Sequence, residues 1–157
     1  MRNEENTNWG QSVAGIVLKE NKVLLVRHTY GSGKGMLIIP GGYVKWNETP
    51  QDAVKREIFE ETGITVEPLD IVGVRFNLKD WYVVFIAKYV SGESKSDGDE
   101  NSEVVWIDIN DVVTRDEVPD LTKKLLLGVI NSKNNAFKNI SYEGNTKNGA
   151  YSLYGLE

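Results

Sequence analysis

The fold is decided by residues 42–64, which read GYVKWNETPQDAVKREIFEETGI. Thr49 is predicted to cap a helix and Pro50 to occupy its first position, where the missing backbone N–H of proline removes no hydrogen bond. Three apolar side chains follow at helical spacing, and they are Ala53, Val54 and Ile58. Gly63 is a natural stop, because glycine readily adopts the left-handed conformation that ends many helices. The stretch therefore predicts a loop, an amphipathic helix and a second turn.

The same helix carries a cluster of carboxylates at Glu57, Glu60 and Glu61. Positions i, i+3 and i+4 lie on one helical face, where like charges repel and mildly destabilise the helix. Carboxylate oxygens are the ligands that Mg²⁺ and Mn²⁺ prefer, so the cluster predicts a site for one of these cations. The alternative interpretation is an acidic face that is simply solvated.

Composition limits the classes of protein to which the chain can belong. Its 157 residues fit one domain, and 40% hydrophobic and 26% charged residues are typical of a globular protein. The absence of cysteine excludes disulfides, thiolate zinc sites and a cysteine nucleophile. The formal net charge of −5 argues against a nucleic-acid partner, since proteins that bind nucleic acids normally carry a basic face. A polyanionic substrate would instead need bound divalent cations, although mild acidity also aids solubility.

The N-terminus and the hydrophobic runs predict a cytoplasmic protein that has no membrane partner. Residues 1–8 are polar and acidic, and no apolar segment follows a basic one as in a secretory signal. No apolar run approaches the roughly 20 residues that span a bilayer.

The rest of the chain predicts strands and a second helix. Runs rich in Val, Ile, Leu and aromatic residues predict strands at 12–18, 22–28, 69–76, 81–90 and 104–107. The first two form a β-hairpin, residues 91–102 form a loop, and Pro119 begins the second helix. The predicted fold class is α+β, with a mixed sheet sandwiched between helices. We expect one domain over residues 1–140 and a loosely ordered tail over 141–157.

The spacing within residues 42–64 resembles the Nudix box, the signature of the Nudix hydrolase family. Every defined position of that signature is matched, and these positions are Gly42, Glu48, Arg56, Glu57, Ile58, Glu60, Glu61, Gly63 and Ile64. The resemblance extends to residues 37–42, which look like the strand and turn that lead into the box. Beyond about residue 89 the likeness thins to general layout.

The resemblance implies a hydrolase that acts on the phosphoric anhydride of a nucleoside diphosphate linked to another moiety, with Mg²⁺ or Mn²⁺ as cofactor. It also implies a loop–helix–loop packed on a mixed sheet between helices. The implied cation ligands are Glu57, Glu60, Glu61 and the backbone carbonyl of Gly41. The implied catalytic set contains Glu57, Glu61 and Arg56, and Arg56 would hold a catalytic glutamate in position rather than contact the substrate.

The remaining positions of the box have structural roles in this comparison. Glu48 would support its neighbours rather than take part in the chemistry. Gly42 and Gly63 would let the backbone turn where a side chain would be in the way.

The general base that accepts a proton from water is left open between Glu57 and an acid from a later segment. In several members of the resembled family, an acid from a later loop or strand completes the metal site or acts as the base. Glu103 has that placement, and three further acids precede it closely, at Asp97, Asp99 and Glu100. The alternative is an acidic surface loop without a role in catalysis.

Four side chains are candidates for contact with the substrate. Arg27 and Lys34 are candidates for binding phosphate, and Trp46 and Tyr82 are candidates for stacking on a nucleobase. The alternatives are a surface charge for Arg27, a mobile loop for Lys34 and ordinary packing for the two aromatic residues.

The favoured substrate is a small nucleotide of the nucleoside diphosphate derivative type, such as ADP-ribose or a nucleotide sugar. A nucleoside triphosphate or a dinucleoside polyphosphate is the alternative, and a capped or triphosphorylated RNA comes third. The hypothesis from another class is a non-catalytic Nudix module that senses a nucleotide, although its sequence sign would be degraded glutamates. Since many members of the family are dimers, a homodimer is a further expectation.

Overall fold

The computed structural model describes residues 10–77, 80–132, 136–140 and 153–155. One sheet contains the strands β1 (Gly10–Lys19), β2 (Lys22–His28), β3 (Leu37–Ile38), β4 (Gly41–Tyr43), β5 (Thr65–Phe76), β6 (Asp80–Ser91) and β7 (Asn101–Asp108). The helices are α1 (Pro50–Thr62), α2 (Ile109–Val112) and α3 (Asp120–Asn131). A second, two-stranded sheet pairs β8 (Lys138–Ile140) with β9 (Leu153–Gly155).

Strand β1 is the centre of the large sheet. It pairs in parallel with β6 along most of its length, and on its other side it pairs with two different antiparallel strands. The N-terminal half of β1 pairs with β4, whereas only its last two residues pair with β2. Beyond those two residues β2 pairs with β3 on this side, and along its whole length it pairs with β7 on its other side. The sheet therefore splays on this side of β1, between β4 and the C-terminal end of β2.

Helices cover both faces of the sheet, because its strands alternate apolar side chains on the two sides. On one face, α1 packs its stripe against buried residues of β1, β2 and β6, such as Val17, Leu24 and Phe85. On the opposite face, α2 and α3 pack against other residues of the same strands, such as Ile16, Leu25 and Val84. The predicted mixed sheet between helices is confirmed.

Helix α1 begins and ends where local chemistry predicts. The backbone N–H of Asp52 donates to Thr49 Oγ1 at 3.1 Å, and Pro50 is the first helical residue. At the other end Gly63 has φ 74°, a left-handed conformation that costs glycine little, and its N–H donates to the carbonyl of Phe59. Both predicted caps are confirmed, and they fix which residues form the last turn of the helix.

Two strands begin well before their predicted starts, and one short helix was not predicted. Strand β5 begins at Thr65 rather than residue 69, and it includes Pro68 because β5 ends the path of the sheet, where a missing N–H breaks no ladder. Strand β7 begins at Asn101 rather than residue 104, which shortens the predicted loop. The sequence did not reveal α2, since four residues are too few to show a helical period. No helix in the described part of the chain is long and apolar enough to cross a membrane.

Part of the predicted tail has regular structure. Strand β9 pairs with β8, and the ring of Tyr154 lies edge-on to that of Phe85 with 5.6 Å between centroids. The hydroxyl of Tyr154 accepts a hydrogen bond from Gln51 Nε2 of α1 at 3.1 Å. Residues 141–152 lie outside the described residues, and the division of the chain at residue 140 stays a prediction.

Candidate active site

The last two turns of α1 contribute carboxylates to a cavity of about 460 Å³. Its lining is almost entirely charged, and it consists of Lys45, Arg56, Glu57, Glu60, Glu61, Asp97, Asp99 and Glu100. The structure thus brings together the three glutamates that the sequence singled out. It adds to them three acids from the loop between β6 and β7.

Hydrogen bonds to both neighbouring elements hold the acidic loop beside α1. The buried Asn101 donates from Nδ2 to the carbonyl of Glu61 at 2.8 Å, and Lys95 N–H donates to the carbonyl of Thr62 at 2.8 Å. On the other side, Thr29 N–H donates to the carbonyl of Glu100 at 3.1 Å. Because these bonds anchor the loop at both ends, its carboxylates have a defined place opposite the helix.

Arg56 lines the acidic cavity and organises the acids around it. Its Nε donates to Glu48 at 2.7 Å, Nη1 donates to Glu57 at 2.7 Å, and Nη2 donates to the carbonyl of Tyr43 at 3.0 Å. The hydrogen bond that Arg56 donates to Glu48 is the main cause that raises the pKa of Arg56, and the same bond lowers the pKa of Glu48. The guanidinium therefore remains charged and fixes the orientation of Glu57.

The carboxylate of Glu57 lies directly against the backbone of β4. A Cβ atom at Gly42 would overlap the carboxyl group of Glu57, so a residue with a side chain would displace that group. Glycine at this position is required by the close approach of a side chain.

Glu61 is the most unusual group of the cluster, because it is a carboxylate that is only 5% exposed. One contact stabilises it, a hydrogen bond from the backbone N–H of Gly41. Its Oε2 is buried and has no hydrogen-bond partner among the described residues. Burial first, and then the charge of Glu57, raise the pKa of Glu61 to about 9. An ionised Glu61 therefore needs a positive charge that the neighbouring side chains do not supply.

A divalent cation fits this set of donors. Unpaired carboxylate oxygens are hard ligands of the kind that Mg²⁺ takes, and a cation beside Glu61 would favour the ionised form. No group of three acids or histidines in the described residues is already arranged around a single point for metal coordination. The hydrogen bonds of Glu57 and Glu60 to Arg56 account for this, since both carboxylates are turned towards the guanidinium. Mg²⁺ also keeps several water ligands, so it does not require a closed cage of side chains.

Glu103 does not join the acidic cluster. On β7, Val105 and Ile107 pack towards α3 whereas Val104 and Trp106 pack towards α1. Because side chains alternate along a strand, Glu103 projects from the sheet face opposite α1. There it accepts a hydrogen bond from Arg27 Nε at 2.7 Å. Its neighbour Glu100 lines the acidic cavity, and burial together with the charge of Glu57 raises the pKa of Glu100.

Three of the four predicted substrate contacts lie away from the described cavities. Arg27 is held by Glu103 and the carbonyl of Gly35, and Lys34 is exposed in the following loop. Trp46 is 96% exposed, and none of these three side chains lines the acidic cavity or its neighbour. Tyr82 does line the neighbouring cavity, where the guanidinium of Arg75 covers its ring at 5.3 Å.

The neighbouring cavity has a volume of about 600 Å³, within the range of small-molecule sites. It reaches the acidic cluster through β4, since Gly41 and Gly42 line it. Its remaining walls are largely apolar and aromatic, and they include Tyr30, Met36, Ile38, Ile39, Tyr43 and Pro119. Burial lowers the pKa of His28, which also lines this cavity, so this imidazole favours its neutral form.

A polar chain in this cavity was not predicted from the sequence. It runs from Ser12 through Asp80 to Arg75, which covers Tyr82. Arg75 pairs with Tyr82 in the sheet, and Ser12 lies beside Tyr82 in the parallel ladder. Only the register of three strands brings these residues together. Arg75 could have been predicted to lie beside Tyr82 only if the pairing of β5 with β6 had been predicted correctly.

Comparison with known proteins relates the chain to a family. The NUDIX domain model matches residues 9–127. An ADP-ribose pyrophosphatase from Methanocaldococcus jannaschii is 36% identical over 108 residues, 64% of this chain and 63% of that protein. The chain thus spans less than two-thirds of that relative's length.

Solved structures with the same fold accompany these sequence matches. A NUDIX hydrolase from Nitrosomonas europaea aligns with a TM-score of 0.69 at 26% identity, covering 76% of this chain and 68% of the other. A MutT protein from Methanosarcina mazei Go1 aligns with a TM-score of 0.66 at 26% identity, covering 80% of this chain and 96% of the other.

Proposed function

The chain belongs to the Nudix family, and on that basis we propose that it is a pyrophosphohydrolase that uses Mg²⁺ or Mn²⁺ to cleave a nucleoside diphosphate derivative. The observation that carries the proposal is the buried, unpartnered oxygen of Glu61 in a cavity with five other carboxylates. Two basic side chains line that cavity, and Arg56 is already hydrogen-bonded to Glu48, Glu57 and Glu60. The excess negative charge therefore favours a bound divalent cation.

The proposed cation ligands are Glu57, Glu60, Glu61 and the carbonyl of Gly41. When bound, the cation neutralises the diphosphate oxygens and lowers the pKa of a water molecule. Arg56 orients Glu57 through its 2.7 Å hydrogen bond, and Glu48 in turn fixes Arg56. The two residues act by position, without contact with the substrate.

We assign the general base to Glu57 or Glu100, both of which line the acidic cavity. Each is close enough to the proposed cation ligands to accept a proton from water near them. Glu103 is set aside as the base, because it faces the other side of the sheet and is paired with Arg27.

The cavity of about 600 Å³ is the proposed binding site of the nucleoside. Its apolar and aromatic walls suit a base and ribose, and β4 places it directly beside the acids that would handle the diphosphate. ADP-ribose and a nucleotide sugar are the favoured substrate types. The name of the Methanocaldococcus relative supports the first of them.

The test is phosphate release, coupled to a phosphatase, across nucleoside diphosphate sugars, ADP-ribose, dinucleoside polyphosphates and nucleoside triphosphates with Mg²⁺ or Mn²⁺. Glu61→Gln is measured beside it, and Glu67→Gln serves as the matched control, because Glu67 is an exposed acid paired with Lys55 outside the cavity. We expect turnover of one substrate class, its loss in Glu61→Gln and its retention in Glu67→Gln. Tight nucleotide binding without turnover of any compound would instead identify a sensing module.

A further inference from the structure

Arg75 is the only side chain with a permanent positive charge that lines the proposed nucleoside cavity, among the residues that the structure describes. It belongs to β5, on the far side of β6 from the acidic cluster. Since the proposed cation handles the diphosphate elsewhere, an arginine here has a different task.

Three neighbours hold the Arg75 guanidinium in one orientation. Its Nη2 donates to Asp80 Oδ2 at 3.1 Å and lies 3.0 Å from Oδ1, and Ser12 Oγ donates to the same carboxylate at 2.6 Å. The guanidinium also lies over the ring of Tyr82. Asp80 is buried and already accepts all these bonds, so it offers little to a ligand. Within the described part of the chain, the hydrogen bonds of Arg75 all come from Nη2, and its Nε is buried without a partner, which leaves Nη1 as the donor for a ligand.

A guanidinium has only donors, so it selects groups that present acceptors. Guanine and hypoxanthine carry two neighbouring acceptors, O6 and N7, whereas adenine replaces O6 with an amino donor that would face the guanidinium. We propose that Arg75 reads the 6-position of a purine and selects a 6-oxopurine nucleotide over an adenine nucleotide. This inference rests on the proposed function for the position of the nucleoside, and it favours a guanine nucleotide sugar over ADP-ribose.

A base fits this place better than a phosphate does. Asp80 neutralises Arg75 at hydrogen-bonding distance, so the pair has no net charge to attract an anion. The surrounding walls, which include Met36, Ile39 and Pro119, are apolar and would cost a phosphate its hydration. A planar base gains from both features, since it buries apolar surface and keeps its oxygen hydrogen-bonded.

The test compares the binding of inosine diphosphate and adenosine diphosphate by calorimetry with Mg²⁺ present. The two ligands differ only at C6, which carries an oxygen or an amino group, and at N1, which is protonated only in inosine diphosphate. A hydrogen bond from Nη1 to O6, compared with an amino group that would face the same donor, predicts a preference for inosine diphosphate of about fivefold or more. Arg75→Lys keeps the charge beside Asp80, but its single ammonium has no second nitrogen to reach the base once it pairs with Asp80, so the ratio should fall towards one. Arg115→Lys is the matched control, since Arg115 is exposed and pairs with Glu117 outside the cavity.

Equal or tighter binding of adenosine diphosphate by the wild type overturns the inference, as does an unchanged ratio in a folded Arg75→Lys protein. Thermal unfolding of each variant establishes that it is folded. If Arg75→Lys does not fold, Arg75→Gln replaces it, and glutamine is expected to move the preference towards adenine. Binding is measured without turnover, so discrimination in a protein that hydrolyses nothing would refute the proposed function and leave the base selection intact.

Discussion

Replacing Glu61 by glutamine should stabilise the metal-free protein at alkaline pH. The pKa of Glu61 rises from 4.5 to about 9 on folding, so between these values the folded state binds a proton that the unfolded state does not. Stability is then highest at the acidic side of this window and falls as the pH rises through it. Glutamine keeps an acceptor for the Gly41 N–H and has no proton to lose. The free energy of unfolding of the variant therefore lacks this dependence on pH.

The size of the effect follows from the same shift. Each pH unit inside the window lowers the free energy of unfolding of the wild type by at most about 1.4 kcal/mol. Between pH 6 and pH 8 the limit is about 3 kcal/mol, or roughly 6–12 °C in Tm for a domain of this size. Since Glu61 is almost fully buried, little of this is screened by solvent.

The assay is urea unfolding in EDTA at pH 6, 7 and 8, repeated with Mg²⁺. Glu61→Gln is expected to be more stable than the wild type at pH 8 in EDTA, with a smaller dependence on pH. Added Mg²⁺ should stabilise the wild type most at pH 8, where Glu61 ionises most readily, and should stabilise the variant much less. Glu67→Gln should follow the wild type throughout. A variant that is less stable than the wild type at pH 8 without metal would refute the reasoning.

Three further substitutions test the arrangement of the site. Glu100→Gln should lower kcat for the best substrate by about 100-fold, whether Glu100 is the base or holds the cation. Glu103→Gln should change kcat little, because Glu103 is paired with Arg27 on the other face of the sheet. A larger loss of kcat in Glu103→Gln than in Glu100→Gln would contradict the orientation of β7. Gly42→Ala should lower kcat/KM by about tenfold or more, because the new methyl group displaces the Glu57 carboxylate, while Tm changes little since only the end of a side chain must move. Unchanged kcat/KM in Gly42→Ala would show that the position of Glu57 is unimportant.

Sequence patterns within a few residues predicted α1 and its acids, but they could not predict which strands pair with each other. Thr49, Pro50 and Gly63 are sufficient to place the helix, because caps depend on neighbours only a few residues away. The hairpin of β1 and β2 was also predicted, but its two strands pair only at the turn and then separate, so that β1 pairs with β4 and β2 with β3. No period within either strand encodes that separation.

The position at which β7 begins decides which acid after β6 joins the acidic cavity. Glu103 and Glu100 are three residues apart, and sequence proximity alone cannot choose between them. Strand β7 begins at Asn101, so Glu103 follows the alternation of the strand to the face opposite α1, whereas Glu100 stays in the loop beside the helix. The ladder of β7 with β2 sets this choice, and with it the salt bridge between Glu103 and Arg27.

The three residues of β4 give the molecule a modular design. Gly41 and Gly42 contact Glu61 and Glu57 on one side, and together with Tyr43 they border the nucleoside cavity on the other. The acids come from α1 and the loop before β7, whereas Arg75 and the residues that hold it come from β1, β5 and β6. Lineages of this fold can therefore alter the choice of base by substitutions on those strands while the hydrolytic half is inherited unchanged. The constraint on such divergence falls on β4, because in the described part of the chain its glycines contact the acids and also line the proposed nucleoside cavity.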